Sequence, residues 1–574
     1  MNIKKQILDI NKSDDFFKKL HKIYYQEKDN LEIFYQAIVS LYNGGKINFT
    51  EEILNISNPD HDFFNTKIIF EKILPDLNIS IQESMDCVKH IFQISGNDMS
   101  ARMVFSSFVE YCQKDENRVK EALQTINNDT SWCNFIPSII RAGSEFNLDR
   151  YVEISIEFTK HNDINVCKEA LYSLGRLQYK NHSTSLEKSF QVIKNFIETT
   201  NDSGILSISI EAIFTLSTFD NALEDDAIHL IKIALKNSDD SVLYSASNLC
   251  FYQKEKLPMK LFVVLLCALE NVNYEHTQTI NNIDYGLRYL LENNQDMVVT
   301  YLEKVLMKNK ELSITSFDSL LRDLHQKHNT LLNQCITKWF ITGNINLCKT
   351  VMDIVGFFHD NKMILSADIS QLEVRDNITH LFVIRKTIGW LFHHQISAVR
   401  FIISIIEILD KDNIMTVEDL LFDPFLISYS GSIKDYLKSI EKPKNKTKKV
   451  ISNLLQRLEN YHNDLDSAWN IKDLKPSQEQ RESYFRLHNQ QISDAMQESK
   501  KDSVFLSLVN EFTVLYGRRS VFYHPELGEN PKDIRQEMNF QKIEHSVEYP
   551  ILDFIDPHGL GYMLWVFKSE QFIK

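Results

Sequence analysis

The sequence contains few of the residues that form tight turns. Its 574 residues include 15 glycines and 11 prolines, about 2.6% and 1.9%, where average proteins have about 7% and 5%. A sheet-rich protein of this length needs many more such residues between its strands. We therefore predict a mostly α-helical chain. The 43% of hydrophobic and 25% of charged residues are typical of a folded protein and not of a disordered one.

Paired cysteines, long apolar runs and nucleotide-binding motifs are also missing. The eight cysteines form no CxxC pair, so we interpret them as core residues of a protein in a reducing compartment, the cytoplasm. The longest apolar run, Leu261–Leu269, has nine residues, whereas a bilayer span needs about 20. The N-terminal residues lack the apolar stretch of a signal peptide. No GxxxxGK[ST], GxGxxG or GxSxG motif occurs, and we predict no cofactor.

Acidic residues are in excess and unevenly distributed. The net charge is −15, and residues 1–440 hold 44 Lys and Arg against 58 Asp and Glu. This excess repels the phosphates of nucleic acids at long range and favours a basic protein as the partner. The abundance of Ile, Asn, Lys and Phe resembles that of proteins from AT-rich bacterial genomes.

Three segments of the chain repeat one another: NDINVCKEALYSLGRL, NDSGILSISIEAIFTLSTF and SDDSVLYSASNLCFYQ. Each opens with a polar turn and continues with three residues spaced four apart, of which the middle one is alanine. These sets are Val166, Ala170 and Leu174; Ile208, Ala212 and Leu216; and Val242, Ala246 and Cys250. The spacing places each set on one helix face, where a small residue lets a neighbouring helix approach closely. Asp163 and Asp240 are predicted N-caps.

This pattern resembles the HEAT and armadillo repeats, in which helical units of about 40–47 residues stack on one another. The resemblance covers residues 80–360, and the intervals from Ala170 to Ala212 and from Ala212 to Ala246 are 42 and 34 residues. It implies a right-handed α-α solenoid whose concave face is lined by the second helix of each hairpin. A TPR-like or irregular α-α array is the alternative for the same pattern.

Five parts are predicted along the chain. They are a helical cap at 1–79, the HEAT-like array at 80–360, its continuation with an irregular insertion at 361–440, a lysine-rich linker at 441–449 and a C-terminal domain at 450–574. Four prolines lie after residue 515, and three segments there, SVFYH, HSVEYPILDFID and GLGYMLWVFKS, are predicted to be strands. We therefore expect a small C-terminal α+β domain.

The resemblance implies a non-enzymatic scaffold or adaptor that binds a partner protein along its concave face. HEAT-like arrays commonly do this in multi-protein complexes, including bacterial defence and regulatory assemblies. The contacts are predicted to come from exposed side chains of the repeated helices: Glu169, Tyr172, Arg176, Glu211, Tyr244 and Asn248. No association with a membrane is predicted.

Two alternatives remain open. In the first, the C-terminal domain is an enzyme, and its metal or hydrolytic site consists of His524, Glu526, Asp556 and His558. These side chains would then converge within about 5 Å, because metal–ligand distances are about 2 Å. No HExxH or CxxC spacing supports such a site, so no metal is predicted. In the second, the groove binds nucleic acid, as some HEAT-like DNA repair glycosylases do, which requires basic residues on the repeated helices.

Overall fold

A computed structural model describes most of the chain. The described residues are 3–11, 15–57, 63–96, 102–358, 363, 365–441, 443–471, 475–501, 519–525, 533–539 and 548–571. They divide into two compact units, residues 1–323 and 324–574. Both units are mostly helical, as predicted from the shortage of glycine and proline.

The first unit consists of helices packed in sequence. They are α1 (Ile3–Ile10), α2 (Phe16–Gln26), α3 (Leu31–Asn43), α4 (Phe49–Leu54), α5 (Phe63–Ile73), α6 (Ile81–Ile94), α7 (Met103–Gln113), α8 (Glu116–Asn128), α9 (Ile136–Phe158), α10 (Ile164–Leu174), α11 (Ser183–Thr199), α12 (Ser203–Ser217), α13 (Glu224–Ala234), α14 (Asp240–Tyr252), α15 (Met259–Leu269), α16 (Thr277–Leu291), α17 (Gln295–Lys308) and the start of α18 (Asp318–Gln326). Helix α9 is kinked at Asn147, whose φ and ψ of −158° and 96° are not helical.

The second unit continues in the same way and adds one hairpin. Its helices are α19 (Asn329–Thr342), α20 (Ile345–Phe358), α21 (Ile369–Glu373), α22 (Asn377–Leu391), α23 (Gln395–Ile405), α24 (Lys411–Leu420), α25 (Ser430–Ser439), α26 (Asn445–Trp469), α27 (Gln478–Lys501), α28 (Leu552–Ile555) and α29 (Pro557–Ser569). A π-helical turn, Leu421–Leu426, precedes α25. The strands β1 (Arg519–Pro525) and β2 (Asp533–Asn539) pair antiparallel. Helix α26 begins inside the lysine-rich segment predicted as a linker.

Aspartates at the helix starts explain where the repeated segments become helical. Asp163, Asp202 and Asp239 each accept a hydrogen bond from a first-turn backbone N–H of α10, α12 and α14, at 2.9, 2.8 and 3.0 Å. Each carboxylate thus satisfies a donor that has no partner within the helix. The predicted cap Asp163 is confirmed. In α14 the cap is Asp239, and the predicted Asp240 is instead the first helical residue.

The second helices of successive hairpins pack on one another. Helix α10 contacts α12, α12 contacts α14, and α14 contacts α16; we call these four helices the second-helix layer. The alanines at the centre of the three repeated segments are buried, as predicted. A Cβ added to Gly175 would lie 2.6 Å from the Cβ of Ala212, so α10 and α12 touch nearly backbone to backbone. The small residues therefore set the spacing within this layer.

Side-chain contacts recur at a nearly constant sequence separation in both units. Representative pairs are Arg176–Glu211 and Arg288–Asp323 at 35 residues, Lys304–Glu270 at 34, Asn377–Asp410 at 33, Gln395–Ser432 at 37 and Arg457–Asp419 at 38. Within each unit, these bonds join one helical pair to the next pair along the chain. Such nearest-neighbour packing is what an α-helical repeat architecture produces.

The predicted C-terminal α+β domain is not supported. Among the described residues, SVFYH lies in β1, whose only pairing is with β2. The other two predicted strands are wrong where the structure describes them: HSVEYPILDFID contains α28, and GLGYMLWVFKS lies in α29. Asp556 accepts a hydrogen bond from the Gly559 N–H at 2.9 Å, and Pro557 occupies the first helical position. An aspartate cap followed by proline starts a helix.

Helix α29 folds back onto α22 within the second unit. Arg385 forms a two-pronged ion pair with Glu570, at 2.9 and 2.5 Å. The buried Lys386 donates a hydrogen bond to the carbonyl of Lys568 at 2.7 Å. A Cβ added to Gly389 would lie 3.0 Å from the Lys568 nitrogen. The C-terminal helix is thus fixed to α22 by polar contacts and close backbone approach.

Candidate protein-binding surface

Each helix of the second-helix layer exposes one narrow stripe of side chains. On α10 the stripe includes Glu169 and Tyr172, and Arg176 follows in the turn after this helix; on α12 it includes Glu211, and on α14 Tyr244 and Asn248. Arg176 and Tyr244 are exposed, and the other four are half-buried. All six predicted contact residues therefore lie on these stripes or directly after one. Whether they touch a partner stays a prediction.

A chain of hydrogen bonds runs across the four helices and joins three of these residues. Arg176 donates to the Glu211 carboxylate at 3.3 Å, and the Asn248 amide donates to its other oxygen at 3.0 Å. The Asn282 amide of α16 in turn donates to the Asn248 oxygen at 2.8 Å and to the Ser247 hydroxyl at 3.1 Å. The bonds restrict the side chains of Glu211 and Asn248, which the buried Asn282 anchors at one end.

Exposed tyrosines border this hydrogen-bonded chain. We call Tyr244 and Tyr252 of α14 and Tyr285 and Tyr289 of α16 the tyrosine face; they are 40%, 62%, 41% and 41% exposed. The Phe251 ring supports it, since its centroid lies 4.5 Å from that of Tyr252 and 5.1 Å from that of Tyr285. Tyrosine is enriched in protein interfaces because its ring offers a large contact area and its hydroxyl a hydrogen bond.

The arginines on and beside the second-helix layer are paired with carboxylates. Besides Arg176 with Glu211, Arg288 of α16 bonds to the buried Asp323 of α18 at 2.6 Å. Burial raises the pKa of the Glu169 carboxyl, and the charge of Arg102 opposes this rise. These pairs leave little uncompensated positive charge on the layer. The basic lining that nucleic-acid binding requires is therefore not found among these pairs.

The predicted C-terminal constellation lies partly outside the described residues, which do not include Glu526 or the side chain of His524. Asp556 caps α29 through the Gly559 N–H, and His558 is exposed in the first turn of that helix. Convergence of the four side chains therefore stays untested. Among the described residues, no group of three or more His, Cys, Asp or Glu is arranged to hold a metal ion.

Comparison with known proteins gives no assignment: no family model matches the chain, and no curated protein is significantly similar to it. In the part of the chain that the structure describes, no helix is both long enough and apolar enough to cross a membrane.

Several residues of this surface were not predicted from the sequence. Asn282, Tyr285 and Tyr289 lie on α16, which does not share the alanine-centred triplet of the three repeated segments. A usable signal was present, because Asn282 follows Asn248 by 34 residues, the same interval as from Ala212 to Ala246. Counting one interval on from the predicted contact Asn248 leads to Asn282 on α16.

Proposed function

We propose that the chain is a non-enzymatic α-helical solenoid scaffold, similar in architecture to HEAT-like repeats, that binds a partner protein through the second-helix layer. The observation that carries the proposal is the tyrosine face beside an ordered hydrogen-bonded chain. Four exposed tyrosines cluster on two adjacent helices, whereas exposed apolar side chains on an ordinary surface are scattered singly.

Preorganisation supports this function over a passive surface. The side chains of Glu211, Asn248 and Asn282 already bond to one another, so binding need not order them. Ordering a flexible side chain on binding costs roughly 0.5–1.5 kcal/mol. A surface ordered in advance thus retains more of its contact energy as affinity.

The proposal is tested by recovering the tagged full-length chain from its native host and identifying bound proteins by mass spectrometry. The decisive variant is Tyr244→Ala/Tyr285→Ala. The matched control is Met259→Ala/Val263→Ala on α15, whose two side chains are 42% and 42% exposed outside the second-helix layer. We expect the wild type and the control to recover the same stoichiometric protein, and the tyrosine variant to lose it.

Two results would contradict the proposal. If all three proteins recover the partner equally, the partner binds elsewhere on the chain. If the wild-type chain is recovered alone at both low and moderate salt, it is not a scaffold in that host. Circular dichroism of each variant checks that the substitutions leave the helices folded.

A further inference from the structure

We infer that the tyrosine face binds an arginine-rich segment of the partner, with the guanidinium groups stacked on the tyrosine rings. This inference rests on the proposed function, and it names the chemistry that the surface recognises. Two independent observations carry it: the arrangement of aromatic rings and the local excess of negative charge.

The aromatic rings of this layer already hold cations from the chain itself. The Lys254 ammonium lies 5.3 Å from the centroid of Phe251, the ring that supports Tyr252 and Tyr285. The guanidinium of Arg176, in the turn after α10, lies 5.0 Å from the centroid of Tyr172 on that helix. A cation within about 6 Å of a ring face is attracted by the electron-rich face. The exposed rings of the tyrosine face offer the same contact to a cation from outside.

The charge around the tyrosine face is negative. Residues 239–292, from the cap of α14 to the end of α16, hold 4 Lys and Arg against 7 Asp and Glu, a balance of −3. Beside Tyr244 lies an open cleft of ≈ 390 Å³ whose lining includes Asp240, Glu275 and His276. Such a field draws a basic segment to the surface and repels an acidic one.

Arginine fits this surface better than lysine. Its planar guanidinium stacks on aromatic rings and still donates hydrogen bonds in its own plane to carboxylates such as Asp240 or Glu275, whereas an ammonium is a compact and strongly hydrated charge. The same field disfavours nucleic acid, because phosphates would approach carboxylates. The geometry thus favours an arginine-rich protein segment over a lysine-rich one and over a nucleic acid.

The test measures binding of the purified full-length chain to a fluorescein-labelled peptide of six Gly-Arg repeats by fluorescence anisotropy. We expect saturable binding that weakens as salt is raised. A Gly-Lys peptide of equal length should bind several-fold more weakly, and a Gly-Glu peptide should not bind. Equal affinity for the Arg and Lys peptides, or tighter binding of a 20-nucleotide single-stranded DNA, would overturn the inference.

Variants separate stacking from general charge attraction. Tyr244→Ala/Tyr285→Ala should weaken binding about tenfold, since each exposed cation–π contact is worth roughly threefold in affinity. Tyr244→Phe/Tyr285→Phe retains both rings and should bind the peptide nearly as tightly as the wild type does. Met259→Ala/Val263→Ala on α15 should have no effect. Loss of binding in Tyr244→Phe/Tyr285→Phe would contradict stacking of guanidinium groups on these rings.

A charge-matched pair completes the test. Asp240→Asn and Asp226→Asn each remove one negative charge, but Asp226 lies exposed in the first turn of α13, outside the second-helix layer. We expect Asp240→Asn to weaken peptide binding at least twice as much as Asp226→Asn does. Equal losses, together with no effect of the tyrosine variants, would show unspecific attraction and overturn the inference.

Failure of the inference can be told apart from failure of the proposed function. If a partner is recovered through the tyrosine face but the Gly-Arg peptide does not displace it, the inference is wrong and the scaffold function stands. If the peptide binds in the expected pattern but no partner is recovered through this face, the scaffold function is wrong and the recognition chemistry stands.

Discussion

Asp284 offers a sharp test of how the first unit is held together. Its side chain, on α16, is only 4% exposed. The carboxylate accepts hydrogen bonds from the backbone N–H groups of Ser319 at 2.9 Å and Leu320 at 2.8 Å. These residues lie in the first turn of α18, so Asp284 caps a helix from a neighbouring one.

Replacing Asp284 by alanine should cost about 2–3 kcal/mol of stability. Loss of an N-cap costs about 0.5–2 kcal/mol, and a buried N–H left without an acceptor about 1–3 kcal/mol. Leu320 is buried, whereas Ser319 is half-exposed and its N–H can recover part of the loss from water. Asp284→Asn keeps one acceptor oxygen and should cost about 1 kcal/mol.

Urea unfolding followed by circular dichroism measures the loss, and hydrogen exchange of residues 318–326 locates it. The control is Asp296→Ala, an exposed acidic residue in the first turn of α17, which should change stability by less than about 0.5 kcal/mol. The reasoning would be refuted if Asp284→Ala and Asp296→Ala unfolded at the same urea concentration and residues 318–326 kept wild-type protection.

Three further predictions concern other contacts. Gly175→Ala should destabilise the protein by about 1–3 kcal/mol, because the new Cβ would meet the α12 backbone. Gly561→Ala, whose new Cβ would meet nothing within 4 Å, should stabilise it by about 0.5–1 kcal/mol. Urea unfolding compares the two variants with the wild type. Burial raises the pKa of Glu169 above its ordinary 4.5. The folded state therefore loses stability as the pH rises from 4.5 through the raised pKa, because the buried carboxyl must then give up its proton. In thermal unfolding, Glu169→Gln should be more stable than the wild type at pH 7 but not at pH 4. Arg385→Ala removes the pair with Glu570 and should speed hydrogen exchange of 557–569 several-fold.

Each of these three has a result that would count against it. Equal stability of Gly175→Ala and wild type would mean that α10 can shift away from α12 at no cost. A Glu169→Gln protein less stable than wild type at pH 7 would mean that the carboxylate is favoured by its surroundings. Unchanged hydrogen exchange of α29 in Arg385→Ala would mean that the Lys386 hydrogen bond and apolar packing, and not the ion pair, hold this helix on α22.

The helical content and the positions of the repeated helices follow from the sequence. Glycine shortage, aspartate caps and four-residue spacing are local signals, and they were sufficient for α10, α12 and α14. The close contact of Gly175 with Ala212 and the buried position of Asp284 depend on how two distant segments meet. No local pattern carries that information, since the residues next to an aspartate in the sequence do not determine whether its side chain is buried.

The C-terminal segment shows the opposite case, in which local signals were present and were outweighed. Asp556 followed by Pro557 is a helix start, but the aromatic and β-branched content of GLGYMLWVFKS favoured a strand. This composition is compatible with a helix, because Leu560 and Leu564 are buried on one face of α29 while Tyr562 and Trp565 are exposed. Tertiary contact with α22 therefore decided between two locally plausible structures.

The two kinds of contact seen in the second unit also imply an order of folding. Side-chain bonds between neighbouring helical pairs join residues about 35 apart, so each helical pair closes a short loop onto its predecessor, and growth can begin at any pair. The bonds from α22 to the C-terminal segment span 182 and 185 residues. Closing a loop of that length costs about 1.5 kcal/mol more in chain entropy than closing one of about 35 residues. Helix α29 should therefore attach to α22 late in folding and detach from it early in unfolding.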